Sequence, residues 1–83
     1  MARRIRWADE ARADIRALDR ATAMRIFDGL NRFAVTGKGD LKVLTGKYAG
    51  QLRLRLGEYR VFFMEPGEVL HILRVKHRRE AYR

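Results

Sequence analysis

Leu52-Arg53-Leu54-Arg55-Leu56-Gly57-Glu58-Tyr59-Arg60-Val61-Phe62-Phe63 decides how this chain reads. Leucine alternates with arginine at the period of a β-strand, two turn-forming residues follow, and a run of β-formers returns. Gly57 stands where a type II′ hairpin needs a positive φ. A two-residue loop predicts the register: Leu56 opposite Tyr59, Arg55 opposite Arg60, Leu54 opposite Val61, Arg53 opposite Phe62. Opposed residues share a sheet face. One face then collects Leu52, Leu54, Leu56, Tyr59, Val61 and Phe63, a surface that must be covered. The other collects Arg53, Arg55, Arg60 and Phe62. Like charges opposed across a sheet destabilise it. Three arginines beside an aromatic ring are better explained by an anion that binds them than by folding.

Downstream, Pro66-Gly67 marks the next turn and residues 69–75 form a third long strand. A tight turn there predicts Met64 opposite Val69, Phe62 opposite His71 and Arg60 opposite Leu73. That places His71 on the basic face, and a slip of one residue turns it inward. The tail, Lys76-His77-Arg78-Arg79-Glu80-Ala81-Tyr82-Arg83, is dense in groups that bind anions or move protons. Upstream, residues 3–7 read as a short strand, with Ile5 and Trp7 two apart. Asp9 is a candidate helix cap, and Ala8, Ala11, Ile15 and Leu18 recur at helical spacing. Asp19-Arg20 reads as a break. A second helix follows to about Ala34, with Ala23, Ile26, Leu30, Phe33 and Ala34 on its apolar stripe. Gly37-Lys38-Gly39-Asp40 reads as a loop, as do Tyr48 and Gly50, while Trp7, Phe27 and Phe33 read as core. Helices before a meander predict an α+β fold: an N-terminal strand and a two-helix hairpin packed on a small, mainly antiparallel sheet. One domain over residues 1–83 is expected.

The 83 residues are 47% hydrophobic, enough to bury a core rather than form a disordered tail. Nineteen basic residues, fifteen of them arginine, face ten acidic ones, for a net charge of +9. The charge is uneven, with eight basic and five acidic groups through residue 36 and eleven and five after it. Arginine's rigid fork fits phosphate and stacks on flat rings, so the second half is the polyanion-binding half. An acidic protein partner is compatible with the same charge. The absence of cysteine excludes disulfide scaffolds, thiolate zinc sites and thiol catalysis. No apolar run is long enough to span a membrane. No apolar stretch follows Arg3-Arg4, so a secretory leader is not expected and the cytoplasm is. Gly46-Lys47 is followed by Tyr48, which rules out a P-loop. His71 and His77 are the only histidines, and no carboxylates are spaced with them for a metal. No Ser/His/Asp set can be argued, and no cofactor is expected.

Three segments carry a resemblance. They are Leu41-Lys42-Val43-Leu44-Thr45-Gly46, the hairpin quoted above, and Arg74-Val75-Lys76-His77-Arg78-Arg79-Glu80-Ala81-Tyr82-Arg83. In this order they resemble the RelE/ParE toxin superfamily, nearest to its RelE-like branch. The resemblance implies the toxin of a type II toxin–antitoxin pair. RelE-like toxins enter the ribosomal A site and cut mRNA, using its own 2′-hydroxyl as nucleophile and no metal. It implies catalytic roles for Arg60, Arg78, Tyr82, Arg55, Arg53 and His77. RNA contacts fall to Arg53, Arg55, Arg60, Phe62, Lys76, Arg79 and Arg83. The partners implied are a cognate antitoxin, joined in a hetero-oligomer, and the ribosome with its mRNA. Arg55 and Arg60 suit a phosphate clamp, Tyr82 suits stacking on an unpaired base, and Arg78 or His77 suits protonation of the leaving oxygen. Better-known RelE toxins carry lysines where this chain has Arg53 and Arg55, which leaves the general base open. The alternatives are a ParE-like inhibitor of DNA gyrase, or a non-catalytic nucleic-acid-binding or regulatory homologue.

Overall fold

The computed structural model describes residues 3–81. The chain runs β1 (Arg4–Trp7), α1 (Asp9–Arg16), α2 (Arg20–Thr36), β2 (Asp40–Val43), a 3-10 turn at Gly46–Tyr48, β3 (Leu52–Leu56), β4 (Tyr59–Met64) and β5 (Val69–His77). The five strands form one sheet in the order β1-β5-β4-β3-β2. Among the described residues only the β1–β5 pair is parallel. This is the α+β arrangement expected, with two helices against a mainly antiparallel sheet.

Each helix end has a local cause. Asp9 does not cap α1; the helix begins at Asp9, after Ala8, which offers no side-chain cap. Ala8 is still committed to the sheet, donating its N–H to Ile72 at 2.8 Å, so Asp9 and Glu10 enter the first turn, where negative charge suits the helix dipole. The break at 19–20 is a cap. Asp19 accepts the Thr22 N–H at 3.1 Å and the Thr22 hydroxyl at 2.6 Å. These bonds, the hydroxyl's first, hold its carboxyl below the ordinary aspartate value. α2 runs two residues past Ala34 and stops at Gly37, whose φ of 70° lets its N–H reach the Phe33 carbonyl at 2.8 Å. Asp40 is not the end of a loop but the first residue of β2.

The β3–β4 register is as read from the hairpin: Leu56↔Tyr59, Arg55↔Arg60, Leu54↔Val61, Arg53↔Phe62, Leu52↔Phe63. Gly57 takes φ 59°, and no described residue other than glycine has a positive φ, which matches a type II′ loop rather than type I′. Leu54, Val61 and Phe63 join Leu70, Ile72 and Val75 of β5 beneath Ile26, Leu30 and Phe33 of α2. Phe33 meets Phe63 edge to face at 5.6 Å. Trp7 and Phe27 are only half-buried and pack edge to face on each other at 5.5 Å.

The β4–β5 register departs from expectation. Met64 pairs with His71, not Val69; Phe62 pairs with Arg74, not His71; Arg60 pairs with Lys76, not Leu73. Two causes act together. Six residues, 65–70, separate the paired Met64 and His71 where four were expected, and the ladder shifts between Phe62 and Phe63, leaving Leu73 without a counterpart. One extra residue in a strand reverses the facing of everything beyond it. Arg74 and Lys76 therefore share the face of Arg53, Arg55 and Arg60, while Val75 turns into the core. His71 shares that face too, but at the far end, beside Met64 and Arg6.

Candidate nucleic-acid interface

The face of the sheet away from the helices is built from two cross-strand rows. In the first, Asp40, Arg55, Arg60 and Lys76 lie side by side across β2, β3, β4 and β5. In the second, the order is Lys42, Arg53, Phe62 and Arg74. Six cations from four strands thus occupy two adjacent rows.

The first row supplies its own acceptors. Asp40 reaches Arg53 at 3.3 Å and Arg55 at 4.0 Å. Arg60 is 8% exposed. One of its terminal nitrogens donates to the carbonyls of Gly57 at 3.0 Å and Tyr59 at 3.1 Å, folding the guanidinium back onto the hairpin loop. Lys76 leaves the row toward α1. β1 pairs with β5 only as far as Ile72, so β5 exposes an edge beyond it. Asp14 closes that edge, accepting the Val75 N–H at 2.9 Å and the Lys76 ammonium at 3.0 Å. Glu10 adds a carboxylate at 3.6 Å. Asp14's hydrogen bond is the main cause that raises the Lys76 pKa above its ordinary value, against partial burial, which lowers it.

The second row is organised by rings. The Arg74 guanidinium lies 4.2 Å from the Phe62 ring centre and 4.7 Å from that of Tyr48. Lys47 lies over the same Tyr48 ring at 5.2 Å. The β2–β3 connection thus folds back over the sheet and helps to bury Phe62, which is 1% exposed. Phe62 supports this face from beneath instead of presenting a ring to a ligand.

The tail divides the remaining candidates. His77 pairs with Tyr59, on the helix side of the sheet, with ring centres 5.4 Å apart. Its Nδ1 accepts the Arg79 N–H at 3.2 Å. It does not face the Arg55–Arg60 row. Arg78, just past β5, returns to the hairpin loop: its N–H donates to the Glu58 carbonyl at 2.7 Å and its side chain meets the Glu58 carboxylate at 3.3 Å. Arg79 is exposed. Tyr82 and Arg83 lie outside the described residues. Arg74, Lys42 and Tyr48 were not legible as members of this face. The shifted β4–β5 ladder brings Arg74 there, the β2–β3 pairing brings Lys42, and the folded loop brings Tyr48. Among the described residues no group of three or more His, Cys, Asp or Glu gathers as metal ligands would, and no helix is long and apolar enough to cross a membrane.

A sheet face carrying arginine rows, under a two-helix hairpin, points to a known family. Residues 5–82 match the family described as the ParE toxin of type II toxin–antitoxin systems. The chain belongs to that family. It is a toxin of the RelE/ParE superfamily. The fold agrees with solved structures. The toxin–antitoxin complex RelBE2 from Mycobacterium tuberculosis matches with a TM-score of 0.84 at 22% identity, over 93% of this chain and 99% of that one. The archaeal RelE–RelB complex from Pyrococcus horikoshii gives 0.74 at 26%, over 98% and 100%. A mutant of the E. coli toxin RelE in the free state gives 0.75 at 13%, over 98% and 88%. No curated protein matches the chain by sequence.

Proposed function

We propose that this toxin is a ribosome-dependent mRNA endonuclease that cuts through the 2′-hydroxyl. The observation that carries the proposal is the pair of cross-strand rows, with Arg53, Arg55, Arg60 and Arg74 converging on one open face. Cleavage by this route needs a proton removed from the 2′-oxygen, charge stabilised on the phosphate and a proton delivered to the 5′-oxygen. Arg53, Arg55 and Arg60 are the clamp: Asp40, the partner of the first two, is exposed, and a phosphate can replace it. Arg60 also braces the hairpin loop through the Gly57 and Tyr59 carbonyls. Arg78, at the loop rim, is the better donor to the leaving oxygen, because His77 faces the other side. Tyr82, by the resemblance, stacks on a splayed base, and Lys76, Arg79 and Arg83 add charge along the strand. Arginine stays protonated, so much of the rate is assigned to orientation and charge stabilisation, with the ribosome contributing.

The solved RelE–RelB complex of Pyrococcus horikoshii supports a second part of the proposal: a cognate antitoxin, acidic where it meets these rows, in a hetero-oligomer. The deciding experiment incubates the toxin with ribosomes carrying a short mRNA, and with naked mRNA as control, and maps 5′ ends. Cleavage on ribosomes alone, leaving 2′,3′-cyclic phosphate and 5′-hydroxyl ends, is the expected result. Intact mRNA sinks it. The family match carries the ParE name, which favours gyrase as the second reading; inhibited supercoiling with untouched mRNA would select it.

A further inference from the structure

The cations of the open face differ in what already holds them. Arg53 and Arg55 meet Asp40, Lys76 meets Asp14 and Glu10, and Arg78 meets Glu58. Arg74 and Lys47 have no ion pair among the described residues. Each lies over the Tyr48 ring instead, at 4.7 and 5.2 Å. Arg74 is also seated on buried Phe62 at 4.2 Å, so it is fixed from beneath. Lys47 is exposed and can swing from the ring without breaking a hydrogen bond or a salt bridge. Tyr48 is held at both flanks of its turn, its N–H donating to the Thr45 carbonyl at 3.3 Å and its carbonyl accepting the Gln51 N–H at 3.0 Å. The ring is therefore a prepositioned platform, partly open, beside two cations that no carboxylate among the described residues neutralises. Exposed Lys42 stands at the other end of the same row as Arg74.

We infer that Tyr48, Arg74 and Lys47 form a nucleotide subsite for single-stranded RNA: an unpaired base stacks on the Tyr48 ring in place of Lys47, and Arg74 and Lys47 take the adjacent phosphate. Aromatic platforms flanked by arginine or lysine bind single strands with little sequence preference, because every base has a π-face. The phosphate is favoured here over the Arg55 clamp in one respect, since it displaces no carboxylate. The subsite rests on the proposal that the open face binds RNA, and it extends the contact from the hairpin end to the β2–β3 loop. A free acidic peptide would find the same charge but would gain nothing from the ring.

The probe is a 5′-fluorescein-labelled oligouridylate of about ten nucleotides, titrated by fluorescence anisotropy across a salt series. Tyr48→Leu should weaken binding about tenfold, the loss of one base stack, while Tyr48→Phe stays within about twofold of wild type because it keeps the ring. Lys47→Gln should lower the slope of log affinity against log salt by about 0.7, one phosphate on a single strand. A bromouridine oligomer should cross-link to Tyr48 in wild-type protein, which tests the site without relying on a variant. Unchanged binding by Tyr48→Leu with its melting curve intact overturns the inference, as does a cross-link elsewhere with none at residue 48. An acidic peptide that competes equally against wild type and Tyr48→Leu also overturns it. Failure of the nuclease proposal reads differently: RNA binds and Tyr48 matters, but programmed ribosomes leave mRNA whole.

Discussion

The two ends of the open face carry similar charge and are held together in opposite ways. At the hairpin end, Arg55, Arg60, Lys76 and Arg78 each meet an oxygen the protein itself supplies: Asp40, the loop carbonyls, Asp14 and Glu58. At the loop end, Arg74 and Lys47 meet rings. The difference is one of what a polyanion must displace. At the hairpin end it competes with carboxylates that already screen the arginines. At the loop end it meets cations with their charge intact, at a stacking cost of about 0.5–1 kcal/mol for an exposed pair. The hairpin end is thereby built for precise geometry, the loop end for attraction.

Arg60→Ala has the largest expected effect at the hairpin end. It removes the brace of the hairpin loop and a clamp residue together. Cleavage on programmed ribosomes should fall by at least about 100-fold, the loss expected for one preorganised charge donor. Thermal melting should show a folded protein with a lower midpoint. A folded Arg60→Ala variant with full cleavage would falsify the clamp assignment.

Asp14→Ala comes next, because it strips a partner from a strand-edge N–H and from Lys76 at once. An unfolding titration should show a loss of about 2 kcal/mol, with the sheet edge at β5 the first region to lose hydrogen-exchange protection. Asp14→Asn sharpens the same point, since an amide oxygen can still accept the Val75 N–H but has no charge for Lys76. The Lys76 pKa is raised on folding. Its contribution is therefore complete below the ordinary lysine value of 10.5 and is lost as pH rises through the higher folded value. The stability gap between wild type and Asp14→Asn should be flat from pH 7 to about 10 and close above that; a gap that widens with alkali contradicts the pair.

Asp40→Asn has the smallest effect and separates the two ends most cleanly. It releases Arg53 and Arg55 from their counter-ion. Single-stranded RNA should bind several-fold more tightly at low salt, and stability should change by less than about 1 kcal/mol, as for exposed ion pairs generally. A weaker complex would show that Asp40 orients the arginines instead of competing for them.

Much of the fold is written in local pattern. The Arg/Leu alternation and Gly57-Glu58 fix β3 against β4 residue for residue, because a two-residue loop permits one register. The stripe Ile26, Leu30, Phe33 marks the buried face of α2 because 3.6-residue periodicity needs nothing beyond the helix itself. The toxin family was legible in part for the same reason, since one of the three segments that carry the resemblance is this hairpin. β2 was less so, for Asp40 to Val43 carries exposed residues whose only reason to be extended is pairing with β3.

The helices, the central hairpin and the three arginines that face away from the core are all consequences of spacing along one or two neighbouring elements. Tertiary structure alone decided the rest of the site. Whether Arg74 and Lys76 join that face depends on one unmatched residue, Leu73, whose insertion is set by packing β5 against β4 and α1 together. Whether Phe62 meets solvent depends on a loop that returns over the sheet because Arg74 bridges Phe62 and Tyr48. Such contacts join residues 12 to 26 positions apart in the chain, and no local pattern records them, because the free energy that selects them comes only from burial shared between elements already in place.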